Sequence, residues 1–516
     1  MTAISNRHFG PRTLLAIAAL ALIAPPAWAA DPPRPAKNVI LVVVDGGGFN
    51  TWRAADMYQG KLGKQVYDGP GWVKLGCTTF PLTLSKSPTA TDAQNPELVY
   101  DPAKAWDPTP APGEGPGGFA GYKFLKFSAT DSAAAATALS TGKKAFNNAI
   151  NWSDLDFPLS SQTIAEIAKC RGRSVGVITT VPWSHATPAC LGGAHSAERD
   201  KYAQIAREML AAPYLDLIMG AGHPEFDDDG QPRPAPASAK QEREFFQYVG
   251  GKETWAQLKV GTHPGGWKLI ETKAQFEALR SGPTPAKVLG TAQVATTLQQ
   301  HRKSPAPGAT QAPAEPFSIP QNANVPDLAT MTRAALNCLD DNPAGFYLMI
   351  EAGAVDWANH ANQPDRMIEE QSDFLRALDA VAAWVDSQSN WDETLVILTA
   401  DHESGLLWGP ESDTRPFDPI VDSGPQKLPG MRYNSKGHSN ELVPLFARGA
   451  GSELFAKLVR GTDDKAAAVW TFSGQYVDNT DVFRVMEAAL RPAASPSIAP
   501  SPSHLAPKPS APAIAP

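Results

Sequence analysis

Three apolar runs in this chain each end in metal-binding side chains, and that repetition restricts the folds open to it. Asn38–Val44 runs into Asp45. Gly345–Ile350 runs into Glu351, with Asp356 and His360 close behind. Thr394–Ala400 runs into Asp401 and His402. Uninterrupted apolar runs of this kind suit strands of a parallel sheet buried on both faces. Open α/β sheets gather their ligands at the carboxyl ends of such strands. The pattern predicts an α/β three-layer sandwich with a central, mostly parallel sheet and a multinuclear metal site on one rim. Helical signals alternate with the strands, as that class requires. Ile164–Lys169 reads as helix and leads through Arg171-Gly172 into the strand Ser174–Thr179. The segment 365–386 reads as helix, with Ile368, Phe374, Leu375, Leu378, Val381 and Val385 on one side, and it leads into the strand before Asp401.

The ends of the chain read differently. Arg7 and Arg12 precede the apolar stretch Leu14–Ile23, and Ala27-Trp28-Ala29 offers small residues for cleavage. Residues 1–29 read as a secretory signal. Pro25-Pro26 closes the run well short of the roughly 20 apolar residues of a membrane span, so no membrane span is expected. A periplasmic or secreted protein is. The remaining domain covers 30–490, with surface insertions at about 85–121 and 222–320 where Pro and Gly break the periodicity, and a Pro/Ala/Ser-rich tail over 491–516. A net charge of -8 argues against nucleic acid as a partner. Export makes disulfides the favoured state for Cys77, Cys170, Cys190 and Cys338, although the sequence leaves their pairing open.

Thr130-Asp131-Ser132 opens an Ala-rich helix. Asp131 or Ser132 could simply cap it. Equally, a serine at a helix amino terminus is placed where backbone N–H groups favour phosphate. Serine is a poor nucleophile until a base or metal activates it, and no Gly-x-Ser-x-Gly elbow is present. Asp356 and His360 stand four apart, on one face of a helix, as a divalent cation needs. Asp45 is followed by Gly46-Gly47-Gly48, a sharp turn that is not a dinucleotide fingerprint. His438 precedes one more apolar segment, Leu442–Phe446. Glu225, Asp227 and Asp229 with Gly230 begin like a calcium loop, but Pro236 stands where the closing glutamate belongs, so a turn is the simpler reading. The remaining histidines are given no role.

Taken in order, Asp45, Asp131-Ser132, Glu351 with Asp356 and His360, Asp401-His402 and the late Gly437-His438 resemble the alkaline phosphatase family. The resemblance spans most of the chain beyond residue 38. It implies two zinc ions and one magnesium. Asp356, His360 and His438 would hold one zinc. Asp45, Asp401 and His402 would hold the other, and Asp45, Thr187 and Glu351 the magnesium. Ser132 would be the nucleophile, passing through a phosphoserine that a zinc-activated water hydrolyses. Arg199, oriented by Asp131, would clamp the phosphoryl oxygens. The implied substrates are small phosphate monoesters, and a homodimer is an admissible assembly. Three departures stand out: Ala129 stands where the motif usually has Ile or Val, His185 and Trp357 occupy variable positions, and Arg199 comes one residue late. A phosphodiesterase of the same superfamily, a sulfatase and an inactive binding protein are the alternatives; Ser132, Glu351, Thr187 and the intact ligand set argue against them.

Overall fold

The computed structural model describes residues 34–109, 120–160, 162–303 and 314–491. The segments read as signal peptide and, beyond Arg491, as tail lie outside them. Eight strands build most of the sheet: β1 (Asn38–Val44), β2 (Val73–Thr78), β3 (Ser174–Pro182), β4 (Leu217–Ala221), β5 (Lys268–Ile270), β6 (Val288–Thr291), β7 (Phe346–Ala352) and β8 (Thr394–Ala400). With Val443–Gly449, Gly461–Thr462 and Gln475–Asp478 they form one eleven-stranded sheet. Pairing is parallel except where Val443–Gly449 runs against β2 and β8, and Gly461–Thr462 against Gln475–Asp478.

Alternation along β1 explains the layers. Val39, Leu41 and Val43 enter one core with Ala133, Ala136 and Leu139 of the helix Ser132–Thr141. Ile40, Val42 and Val44 enter the other with Trp52, Leu336 and Phe374 from helices on the opposite face. Every residue of β1, β7 and β8 is buried. The sandwich is therefore three-layered, as the apolar runs predict.

The segment 222–320 builds the edge of the sheet rather than lying over it. It supplies β5 and β6, which pair in parallel with each other and, through β6, with β4. The segment 85–121 packs Tyr100 and Trp106 into an aromatic cluster with Trp408 and Trp470, and both residues donate to Asp463 Oδ2, at 2.6 and 2.8 Å.

The expected disulfides are absent: all four cysteines are free thiols. Cys77 and Cys190 lie in the core on one face of the sheet and Cys338 packs against the other, while Cys170 is exposed. A disulfide needs Cα atoms within about 7 Å, and the sheet itself stands between Cys338 and the two buried thiols. Among the described residues no helix is long and apolar enough to cross a membrane.

One buried acid lies beside the sheet. Asp56 accepts from Gln65 Nε2 and Tyr67 Oη, each at 2.9 Å, and burial pushes its carboxyl up to about 7. Because the folded value exceeds the unfolded one, this group contributes its full stability below about pH 4, and the contribution is lost as pH rises through 7. Between pH 5 and 8 it should account for about 3 kcal/mol of declining stability. Asp56→Asn should flatten that part of the slope in urea unfolding of the metal-free protein. An unchanged slope would show that Asp56 is already ionised at pH 5.

Candidate metal centre

Register assembles the site. In β1, Val44 pairs with Ala400 of β8 and Ala352 of β7, so the next residues, Asp45 and Asp401, leave the sheet side by side. Glu351 sits one step back, opposite Val43 on one side and Thr179 of β3 on the other. The turn after Asp45 depends on glycine. Gly46 has a φ of +70°, and a Cβ there would stand 2.8 Å from Asp356 Cα. The backbone that carries Asp45 thus abuts the backbone that carries Asp356.

Two groups of ligand atoms result. Those of Asp45, Asp401 and His402 lie within 4.8 Å of one another, and so do those of Asp356, His360 and His438. His402 Nε2 is 3.1 Å from Asp401 Oδ2 and 3.7 Å from Asp45 Oδ1. Asp401 Oδ1 is taken up by the backbone N–H groups of Gly46 and His402, at 3.1 and 2.9 Å. In the second group, His360 Nε2 is 3.3 Å from Asp356 and 3.0 Å from His438 Nε2. Backbone carbonyls orient both rings: Lys436 holds His360 Nδ1, and Thr130 holds His438 Nδ1 at 2.8 Å. Carbonyl partners of this kind fix the tautomer of a ligating histidine.

Glu351 accepts from the Thr179 hydroxyl with one oxygen. Its other oxygen, Oε1, has no partner. Thr187, in the first turn of the helix Ala186–Leu191, stands close enough to favour the ionised form of Glu351, yet its hydroxyl makes no hydrogen bond of ordinary geometry.

The electrostatics describe a place short of positive charge. Burial, then Asp401, Asp356 and Glu351, push the Asp45 carboxyl well above its usual range. Burial also raises Glu351, to about 7. Burial opposes the charged form of His360, but its hydrogen bond to Asp356 wins and lifts the ring to about 9. His438, buried beside His402, is pushed down to about 4. Carboxylates packed this closely ionise together only when cations join them.

Ser132 is the first residue of the helix Ser132–Thr141. It is 2% exposed, and its Oγ lies 3.2 Å from His402 Nε2. Asp131 is the N-cap, accepting from Ala134 N at 2.9 Å with one oxygen and from Arg199 at 3.0 Å with the other. Arg199, late in its motif, nonetheless lines the same cavity as Ser132, a space of about 550 Å³. All the residues expected at the site from the sequence are therefore brought to one rim. Sequence reasoning missed Thr179, whose role depends on cross-strand register. It also missed Ser404, which donates to Asp356, and Asn359, which donates to the Gly46 carbonyl at 3.0 Å. His301, given no role, lines the cavity as well.

The acidic loop at 225–230 is a turn: Asp227 Oδ1 accepts from the N–H groups of Asp229 and Gln231 at 3.0 and 2.9 Å. His223, Glu225 and Glu271 also come together, but Lys259 Nζ stands 2.9 Å from Glu271 and 3.5 Å from Glu225. The ammonium supplies there the charge a cation would bring.

The sequence profile of the alkaline phosphatase family matches residues 117–416, more than half of the chain. The chain belongs to the alkaline phosphatase family. It is 26% identical to the alkaline phosphatase of Escherichia coli (strain K12) over 490 residues, covering 89% of this chain and 86% of that protein. It is 30% identical to alkaline phosphatase 4 of Bacillus subtilis (strain 168) over 349 residues, which is 66% of this chain and 64% of that protein. The fold is similar to that of a mutant TAB5 alkaline phosphatase, from an Antarctic bacterium, with magnesium in its M3 site. That likeness has a TM-score of 0.55 at 20% identity and covers 89% of this chain and 99% of the other. Membership makes the protein a phosphoric monoester hydrolase and its catalysis metal-dependent.

Proposed function

We propose that this alkaline phosphatase family member transfers the phosphoryl group of a monoester to Ser132 and then to water, and that two zinc ions and one magnesium serve it. The observation that carries the reading is a set of buried oxygens without partners: both of Asp45 and Oε1 of Glu351. Burying a carboxylate oxygen unpaired is costly, and cations are the partners that this donor set fits. Asp356, His360 and His438 would hold one zinc, Asp45, Asp401 and His402 the second, and Asp45, Thr187 and Glu351 the magnesium. Bound there, the ions offset the charge of the phosphate and make a hydroxyl or water more nucleophilic.

The chain's own residues do the positioning. Ser132 presents its Oγ at a helix amino terminus, where backbone N–H groups and the helix dipole favour an anion. Asp131 holds one side of the Arg199 guanidinium, leaving the rest of that planar fork to grip two phosphoryl oxygens. As the Ser132 Oγ–phosphorus bond forms, the bond to the leaving oxygen breaks, and the alcohol departs with a proton. Water then attacks the phosphoserine, freeing Ser132 and inorganic phosphate. Phosphoryl transfer asks little more of a protein than this alignment and charge. The segment 1–29 supports a place in the periplasm or medium.

The test is kcat/KM for a matched aryl phosphate monoester and diester in saturating zinc and magnesium. A large monoester preference is expected, because Arg199 and the cations match a doubly charged group. A diester preference would overturn the magnesium site and the role given to Arg199.

A further inference from the structure

The cavity above Ser132 is far larger than one phosphoryl group requires, and its outer wall is aromatic: His185, Tyr202, His301 and Trp357. We propose that Trp357 and His301 form a platform for the leaving group, and that the enzyme favours nucleoside monophosphates. This inference rests on the phosphomonoesterase reading above.

Trp357 directly follows Asp356, so its place relative to the ligand cluster is fixed by the chain. Its ring stands between two imidazoles, with centroids 5.7 Å from His185 and 5.0 Å from His301, both at 62°. Edge-to-face contacts of this kind steady a ring, and Trp357 remains only partly buried, which leaves area for a planar ligand.

The acidic turn at 227–230 holds His301 through Thr296 and ties down the chain just after it at Lys303. Thr296 Oγ1 gives its hydrogen to Asp228 Oδ1 at 2.6 Å, and so accepts from His301 Nδ1–H at 2.9 Å. The neutral ring then keeps Nε2 as an acceptor. Two residues on, Asp229 accepts from the Lys303 backbone N–H at 2.7 Å and pairs with its ammonium at 3.2 Å. Asp228, Thr296 and Asp229 are thus positioning residues for a histidine that comes from the edge of the sheet.

Charge narrows the ligand further. Among the described residues, Arg199 is the one arginine or lysine lining the cavity, and the phosphoryl group claims it. Asp200 stands on the rim, exposed. A second phosphate would meet a carboxylate and, among the described residues of the wall, no free lysine or arginine. A monophosphate whose leaving group carries a flat ring with N–H donors, for Trp357 and for Nε2 of His301, is the chemistry that fits. Nucleobases have both.

Adenosine 5′-monophosphate and ribose 5-phosphate test this, because their leaving alcohols have the same chemistry and only one carries a base. Wild type should prefer the nucleotide by about tenfold in kcat/KM, the scale of one base stacked on an aromatic side chain. His301→Ala should bring the ratio to within about threefold of one, with the change in KM for the nucleotide and not in kcat. Thr296→Val, which frees the ring without touching the ligand, should give a smaller shift in the same KM. A wild-type ratio near one, or a ratio that His301→Ala leaves intact, would overturn the platform while the phosphatase reading stands. Failure of wild type to turn over either ester would overturn both.

Discussion

Ser132→Ala should lower kcat/KM for an aryl monoester by about 10³-fold or more while zinc and magnesium content stays at the wild-type level. Ser132 Oγ faces the ligand cluster without being needed to complete it: the three side chains of each group converge without it. Its removal takes away the acceptor of the phosphoryl group and leaves the charge that binds the substrate. Elemental analysis of the purified variant reads the metal, and acid quenching with labelled substrate reads the intermediate. Label should appear on the wild-type protein and not on the variant. Equal loss of metal in the variant would move Ser132 from nucleophile to ligand, and label on the variant would place the intermediate elsewhere.

Asp401→Ala should do more damage, because one side chain has two tasks. Its Oδ1 accepts from the backbone N–H groups of Gly46 and His402, and its Oδ2 faces His402 Nε2. Alanine leaves two buried donors unmet, at about 1–3 kcal/mol each, and removes a ligand. The variant should lose close to one equivalent of metal, nearly all turnover, and several degrees of Tm. Asp401→Asn separates the tasks. Its carbonyl oxygen still accepts from both N–H groups, so the metal-free fold should be kept while the charge that holds the cation is gone. A site saturated a thousandfold above its Kd stabilises the fold by about 4 kcal/mol. For Asp401→Asn the gap in Tm between metal-free and metal-loaded protein should shrink by a corresponding amount. A gap equal to that of wild type would sink the assignment of Asp401 as a ligand.

What could be read in advance was whatever shows itself locally. β1 and β8 begin and end where the runs do, because strands buried on both faces are almost continuously apolar and stand out from their surroundings. The N-cap at Asp131 and the helix after it were equally plain, as alanine and a capping carboxylate signal helix on their own. The contribution of 222–320 to the sheet was hidden. Lys268–Ile270 and Val288–Thr291 are too short to show a period, and the prolines around them look like loop. Thr179 was hidden for another reason: nothing in β3 states that it will lie opposite Glu351. His301 was the least legible of all, since its place on the wall depends on a carboxylate 73 positions earlier, reached through Thr296. The cysteines misled because compartment was allowed to speak for geometry.

The order of strands has a consequence for when this protein can begin to work. β1, from the first part of the chain, lies between β7 and β8, which are made more than 300 residues later. Until β8 has been synthesised, Asp45 has no Asp401 beside it, and His438 follows later still. Pairings between such distant segments are slow to form, since a long loop must close before any contact rewards it. An unfinished or truncated chain therefore has no competent centre and no means of consuming phosphate esters. Activity thus reports that synthesis has passed His438, the last residue of the centre in chain order.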